Sequence, residues 1–241
     1  MRPTVLTALA LWLAAAPLAQ AGAWLREDGA ALLSFSHEIT QPREGGDTFG
    51  YSTLYGEYGL TGRVTVGFDI GKGDASSDWT ALLFLRTGRE LGRLPGRVAL
   101  ELGVGAAGIR EIGTEAVLQP ALSWGHSFET GLGWAWVNLD AKGLFHLAPS
   151  SEADPGTIAG LPLAMREGVK LDLALGLNLD DRTRLTLETR FERPVDGDDT
   201  LRLVPGIARR LGARSWITLS GIVGLRDDET IGLILGSRIE F

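Results

Sequence analysis

From residue 31 to residue 241, apolar and polar positions alternate with a period of two, the mark of strands whose two faces meet different surroundings. In 97–106, Val98, Leu100, Leu102 and Val104 oppose Ala99, Glu101, Gly103 and Gly105. In 168–178, Val169, Leu171, Leu173, Leu175 and Leu177 oppose Lys170, Asp172, Ala174, Gly176 and Asn178. In 184–192, Leu185, Leu187, Thr189 and Phe191 oppose Arg184, Thr186, Glu188, Arg190 and Glu192. The last stretch sets Ile231, Leu233, Leu235, Ile239 and Phe241 against Thr230, Gly232, Gly236, Arg238 and Glu240. Turn residues divide the chain into about twelve segments, near 31–40, 48–59, 64–72, 78–89, 97–107, 115–126, 132–144, 165–178, 184–193, 200–209, 216–225 and 230–241. Each is close to the ~9–11 residues that carry a tilted strand across a bilayer.

A soluble sandwich alternates as well. Here the apolar faces are Leu, Val and Ile without a mid-strand charge, and every segment approaches spanning length. Only a closed barrel satisfies all backbone groups of strands in lipid. The predicted fold is therefore all-β, an antiparallel up-and-down transmembrane β-barrel of about twelve strands in a bacterial outer membrane. Connections alternate between short turns (60–63, 91–96, 127–131, 179–183, 210–215) and more acidic loops (41–47, 72–77, 108–114, 146–160, 194–199, 226–229). Short turns belong to the periplasmic side and longer loops to the outside. Tyr58, Trp124, Trp134, Trp216 and Phe241 lie near the periplasmic end, and Phe49, Tyr51, Trp79 and Phe191 near the other. This is the arrangement of two aromatic girdles, with Trp134 and Trp216 as candidates to point inward.

Residues 1–21 read as a secretory signal peptide: Arg2, an apolar run over 5–16, and an Ala19-Gln20-Ala21 cleavage site. The run is too short for a spanning helix. Residues 22–241 then form one barrel domain. Residues 22–30 are too few for a second domain, and no plug is expected. The chain has no cysteine, which excludes a lipoprotein anchor, disulfides and thiolate metal sites. Its net charge of -7 makes nucleic acid an unsuitable partner. The expected partners are outer-membrane lipids, lipopolysaccharide and the barrel assembly machinery, which reads the terminal aromatic Phe241.

If the aliphatic faces meet lipid, the opposite faces line a lumen. Glu57, Asp69, Glu101, Lys170, Asp172, Arg184, Glu188, Arg190, Arg202, Arg238 and Glu240 are the candidate lining charges, joined by Gln119 and Glu192. They support two readings, a selectivity lining for small solutes or an ion-pair network that fills the barrel, since a buried charge is costly unless paired. Inward glycines (Gly103, Gly105, Gly176, Gly206, Gly232, Gly236) favour open space. A lipid-modifying enzyme would need a nucleophile beside a base. His126 with Ser127 and Glu129 falls in a predicted turn, His37 lies on the lipid face out of phase with Ser34 and Ser36, and His146 opens the long loop. These positions favour no catalytic site. Asp196, Asp198, Asp199, Asp227 and Asp228 on neighbouring loops form a candidate site for Ca²⁺ or Mg²⁺, with solvated loop acids the simpler reading. No cofactor is implied.

The stretches Gly22-Ala23-Trp24-Leu25-Arg26-Glu27-Asp28-Gly29 and Tyr55-Gly56-Glu57-Tyr58-Gly59-Leu60-Thr61-Gly62-Arg63, with the terminal Phe241, resemble a proteobacterial group of small outer-membrane channel-like proteins. Some of these are associated with the degradation of phenol-type aromatic compounds. The resemblance implies a channel for small solutes, aromatic or apolar. It carries no catalytic residue.

Overall fold

The computed structural model describes residues 22–74, 78–109, 113–149, 157–158, 161–195, 197–226 and 228–241. Residues 1–21, where a signal peptide is expected, Asp196, Asp227 and most of 150–160 lie outside them. The strands are β1 (Ala31–Pro42), β2 (Phe49–Thr61), β3 (Val64–Gly73), β4 (Trp79–Glu90), β5 (Arg97–Ile109), β6 (Gly113–Thr130), β7 (Gly133–Pro149), β8 (Thr157–Ile158), β9 (Leu161–Asn178), β10 (Thr183–Arg193), β11 (Thr200–Arg210), β12 (Ser215–Gly224) and β13 (Thr230–Glu240). The two-residue β8 pairs only with the start of β9. The other twelve form a closed antiparallel ring: each pairs with its neighbours in chain order, β9 bridges β7 and β10, and β13 closes onto β1 from Leu32↔Glu240 to Pro42↔Thr230. Phe241 completes the seam, exchanging backbone hydrogen bonds of 2.9 and 3.3 Å with Ala31.

The alternation read from the sequence becomes an inverted protein. Leu82 is 5% exposed and its neighbour Leu83 67%. Outward positions such as Leu100, Leu102, Val104, Leu233 and Leu235 are at least half exposed. In water each such side chain would forgo about 1.5–3 kcal/mol of burial. In lipid the same belt is the stabilising surface, and a closed ring presents no open strand edge to it.

Strand bounds follow the predicted ones, with two larger differences. β6 and β7 run on to a connection of two residues, Gly131 and Leu132, so His126, Ser127 and Glu129 belong to a strand. Gly133 holds φ +136° there, a conformation that favours glycine. At the outer end β7 continues through His146 to Pro149 and β9 begins at Leu161, so His146 lies in a strand and the long connection is 150–160.

Two interruptions mark the ladder. Between β6 and β7 the pairing passes from Leu118↔Phe145 to Ala121↔Lys142, and between β11 and β12 from Leu203↔Val223 to Gly206↔Ser220, with no change of register. Each gap contains a proline, Pro120 or Pro205, whose nitrogen has no hydrogen to donate. The register sets each opposite a glycine, Gly143 or Gly221.

Candidate functional site

The interior positions of β2, β4 and β5 converge on one guanidinium. Arg86 Nη1 lies 2.6 Å from Glu57 Oε1, and its Nη2 lies 2.5 Å from Glu101 Oε2. Tyr55 donates its hydroxyl to Glu57 Oε1 at 2.5 Å. The Arg86 guanidinium stands 5.1 Å from the centroid of Phe84, and Phe84 stacks on Tyr55 at 5.6 Å. Arg86, Glu57 and Phe84 and the Glu101 side chain are buried and Tyr55 is half-buried, so the charges gain from a low dielectric and are expensive to separate. Arg86 and Tyr55 were not among the residues expected to line the lumen. Arg86 is the one charge in an inward series of Thr80, Leu82 and Phe84.

The second carboxylate oxygen of Glu57 is taken from an unexpected direction. Residues 22–30 do not hang free: they enter the periplasmic half of the barrel and cross it. Near β1, Gly59 donates its N–H to Ala30 O and Gly29 donates to Gly59 O, both at 2.9 Å. Arg26 pairs with Glu57 through Nε and donates its backbone N–H to Thr65 Oγ1 at 2.9 Å. On the opposite wall, Ala23 is 1% exposed and Trp24 packs edge-on against Trp136 at 6.3 Å. A Cβ at Gly125 would strike Trp24 and Ala23, and one at Gly176 would strike Trp136. The expectation of no plug is corrected: a strap built from the segment before β1 spans the lumen. Gly176, expected to open space, is a seat for an indole. Short, non-periodic and too small for a domain, the strap gave no signal in the alternation.

Higher in the lumen the charges form a second band. Arg190 lies 2.6 Å from Glu188 and 4.0 Å from Glu38. Arg202 lies 2.7 Å from Asp228 and 3.6 Å from Glu38. Lys170 lies 2.9 Å from Glu192. Asp140 stands opposite Asp172 and Lys142 opposite Lys170 on β7 and β9, and both lysines act on Asp69 from across the lumen. Glu115 holds His146 at 3.0 Å and also pairs with Arg166. Asp69, Glu101, Lys170, Asp172, Glu188, Arg190 and Arg202 thus lie on the inner faces of their strands. Glu38, Lys142, Asp140, Glu115 and Arg166 join them, unexpected because their strands mix them with apolar or aromatic residues.

Between the two bands, one wall is made of small residues. Across β10–β13 and β1, the inward rows are Thr186, Gly206, Ser220, Ile234, Glu38 and, one level below on β11–β13 and β1, Ala208, Thr218, Gly236, Ser36, so that apart from Ile234 and Glu38 the side chains are small. Directly beneath, Arg210, Trp216 and Arg238 stand side by side on three strands. Arg184, Arg210 and Arg238 place their guanidinium carbons 5.1, 5.7 and 5.7 Å from the Trp216 ring. Glu240 Oε1 lies 3.0 Å from Arg238. Trp216 is buried inside, not in a girdle. Phe49 and Tyr51 also take inward positions, opposite Thr40 and Glu38. Phe49 and Arg202 line a cavity of about 290 Å³ at the outer rim, with Thr40, Gln41, Pro42 and Thr230. On the wall of β4–β6, Leu82, Ala107 and Val117 form a buried apolar cluster, with buried Glu115 and Gln119 on either side of Val117 along β6.

The remaining candidates are dispersed. Asp199 is held by a two-pronged hydrogen bond from Arg193, 2.9 and 2.7 Å, which keeps its carboxyl below the usual range. Asp228 accepts from Arg202 and from the Thr230 N–H. Burial works to raise its pKa, and these hydrogen bonds hold it below the ordinary value. The two acids serve different arginines, and among the described residues no three acids or histidines gather as metal ligands. His126 stacks on Phe128 at 5.9 Å. His37 Nδ1 lies 2.9 Å from Ser52 Oγ, and its Nε2 3.6 Å from Asp74. This Ser–His–Asp trio on the outward face escaped sequence reading because Ser52 comes from the next strand, directly opposite His37. The half-exposed Asp74 stands beyond hydrogen-bond distance, so the trio lacks the firm third group that orients a catalytic base.

An apolar belt around a closed ring and a charged interior define the class: a bacterial outer-membrane β-barrel with twelve strands. Solved structures agree on the fold. The KdgM porin superposes with a TM-score of 0.60 at 8% identity, covering 87% of this chain and 99% of the porin. An outer-membrane channel from Pseudomonas putida F1 gives 0.57 at 14% identity, covering 91% and 98%. The NanC porin gives 0.54 at 8%, covering 86% and 98%. No protein-family model and no curated protein matches the sequence.

Proposed function

We propose that the protein is a narrow outer-membrane channel for small solutes, held nearly closed at rest by the strap of residues 22–30. The observation that carries this reading is the chamber of small hydroxyl and glycine residues between two ion-paired bands. A barrel built only to be filled would place large side chains there. Paired charges of both signs favour polar solutes, and the buried apolar cluster of Leu82, Ala107 and Val117 suits a solute that also carries an apolar body. Passage in this reading is passive, down the solute's own gradient.

The strap also favours a second reading, a barrel closed for good. Single-channel recording in planar bilayers separates the two. The refolded wild-type barrel is expected to give small, brief steps. The double variant Trp24→Ala, Arg26→Ala is expected to give steps at least threefold larger. Silence from both, with folding confirmed by heat-modifiable gel migration, would leave a structural barrel and end the channel reading.

A further inference from the structure

The two ionic centres of the periplasmic half differ in how well they are satisfied. Around Arg86 each guanidinium meets a carboxylate. Around Trp216 that balance fails. Arg184 is 4% exposed and Trp216 8%. Arg184 Nε donates to Asn178 Oδ1 at 2.7 Å, and Arg210 donates through Nη2 to the Ala213 carbonyl. Yet Arg184 Nη1, Arg210 Nε and Trp216 Nε1 are buried and donate to no described residue. Among the described residues Glu240 pairs with Arg238, and no carboxylate pairs with Arg184 or Arg210, so two guanidinium groups of this centre stand without a counter-charge there.

Buried donors without acceptors and buried charge without counter-charge are both costly. Their coincidence marks a place where a ligand supplies what the protein lacks. The missing complement is an anion with acceptor oxygens, because guanidinium and indole N–H groups donate only. Immediately above lies the row of Ala208, Thr218, Gly236 and Ser36, where the Thr218 and Ser36 hydroxyls can donate to a second oxygen. Planar forks of N–H donors suit carboxylate and phosphate alike.

We propose that Arg184, Arg210, Arg238 and Trp216 form a binding site for a small oxyanion at the periplasmic end of the lumen, with Thr218 and Ser36 on its open side. The proposal rests on the channel reading only for how the anion arrives. The chemistry shared by its ligands is a carboxylate or phosphate group; the buried apolar cluster of Leu82, Ala107 and Val117 favours a carboxylate on an apolar body.

The test is isothermal titration of the folded mature barrel in detergent, in low-chloride buffer, with sodium benzoate in one arm and sodium phosphate in the other. Saturable binding of either at one site is expected, and tighter benzoate binding identifies the carboxylate. Arg184→Gln is expected to weaken it at least tenfold, and Trp216→Phe, which keeps the ring and loses the N–H, about threefold. Arg193→Gln, on the loop side, is expected to bind as wild type does. Should Arg184→Gln fail to fold, Trp216→Phe decides alone. The proposal is overturned if neither anion binds, or if the folded variants bind as tightly as wild type. Titration needs no conductance: a silent barrel that binds benzoate ends the channel reading and keeps the site, and a conducting barrel that binds nothing does the reverse.

Discussion

Arg86 serves two carboxylates and two strands besides its own, so its removal reaches further than one contact. Arg86→Met leaves Glu57 and Glu101 buried with a single arginine, Arg26, for the pair. Breaking a buried ion pair typically costs about 3–5 kcal/mol. The urea midpoint of the variant barrel, compared with wild type at equal m-value, is expected to fall accordingly. Asp228 behaves differently because its carboxyl is held below its ordinary range by Thr230 and Arg202. A lowered native pKa stabilises above the ordinary value of about 3.9, and that contribution disappears as the pH falls through the native pKa. Protease nicking near residue 226 is expected to rise as the medium is taken below about pH 4, and Asp228→Asn is expected to show the higher rate already at neutral pH. For the outward trio, purified barrel with a short-chain ester is expected to hydrolyse no faster than His37→Ala. A rate lost in both His37→Ala and Ser52→Ala would make the trio a working hydrolase.

At the scale of single strands, alternation carried the reading because lipid outside and a polar lumen inside leave each position one acceptable face. That is why spacing alone assigns Lys170 and Asp172 on β9, or Glu188 and Arg190 on β10, to one face of their strands. Contacts between strands were not legible in the same way. Ser52 meets His37, and Glu38 meets Arg190 and Arg202, only after register is set, and register belongs to pairs of strands. The strap was illegible for another reason: residues 22–30 have no period to read. Inward Gly125, which seats Trp24, makes sense only once the strap is in place. The outward face yields its own test. Leu235→Arg places a charge in the apolar belt, where the cost is about 2–4 kcal/mol near the bilayer midplane. Refolding into lipid vesicles, followed by urea titration, is expected to register it, whereas Ser36→Ala, on the lumen side of the neighbouring strand, changes far less.

Taken as a whole molecule, the barrel is divided by its two proline gaps. The panel between them consists of β7, β9, β10 and β11, and it carries Lys142, Lys170, Asp172, Arg184, Arg190 and Arg202 on its inner face. A ring of continuous ladders resists deformation evenly. A ring with two weakened joins yields at those joins first, and the panel between them moves as one stiff plate. Amide exchange would display this: protons flanking Pro120 and Pro205 would trade with deuterium well ahead of those at the β1–β13 closure, where eleven successive residue pairs meet without a break.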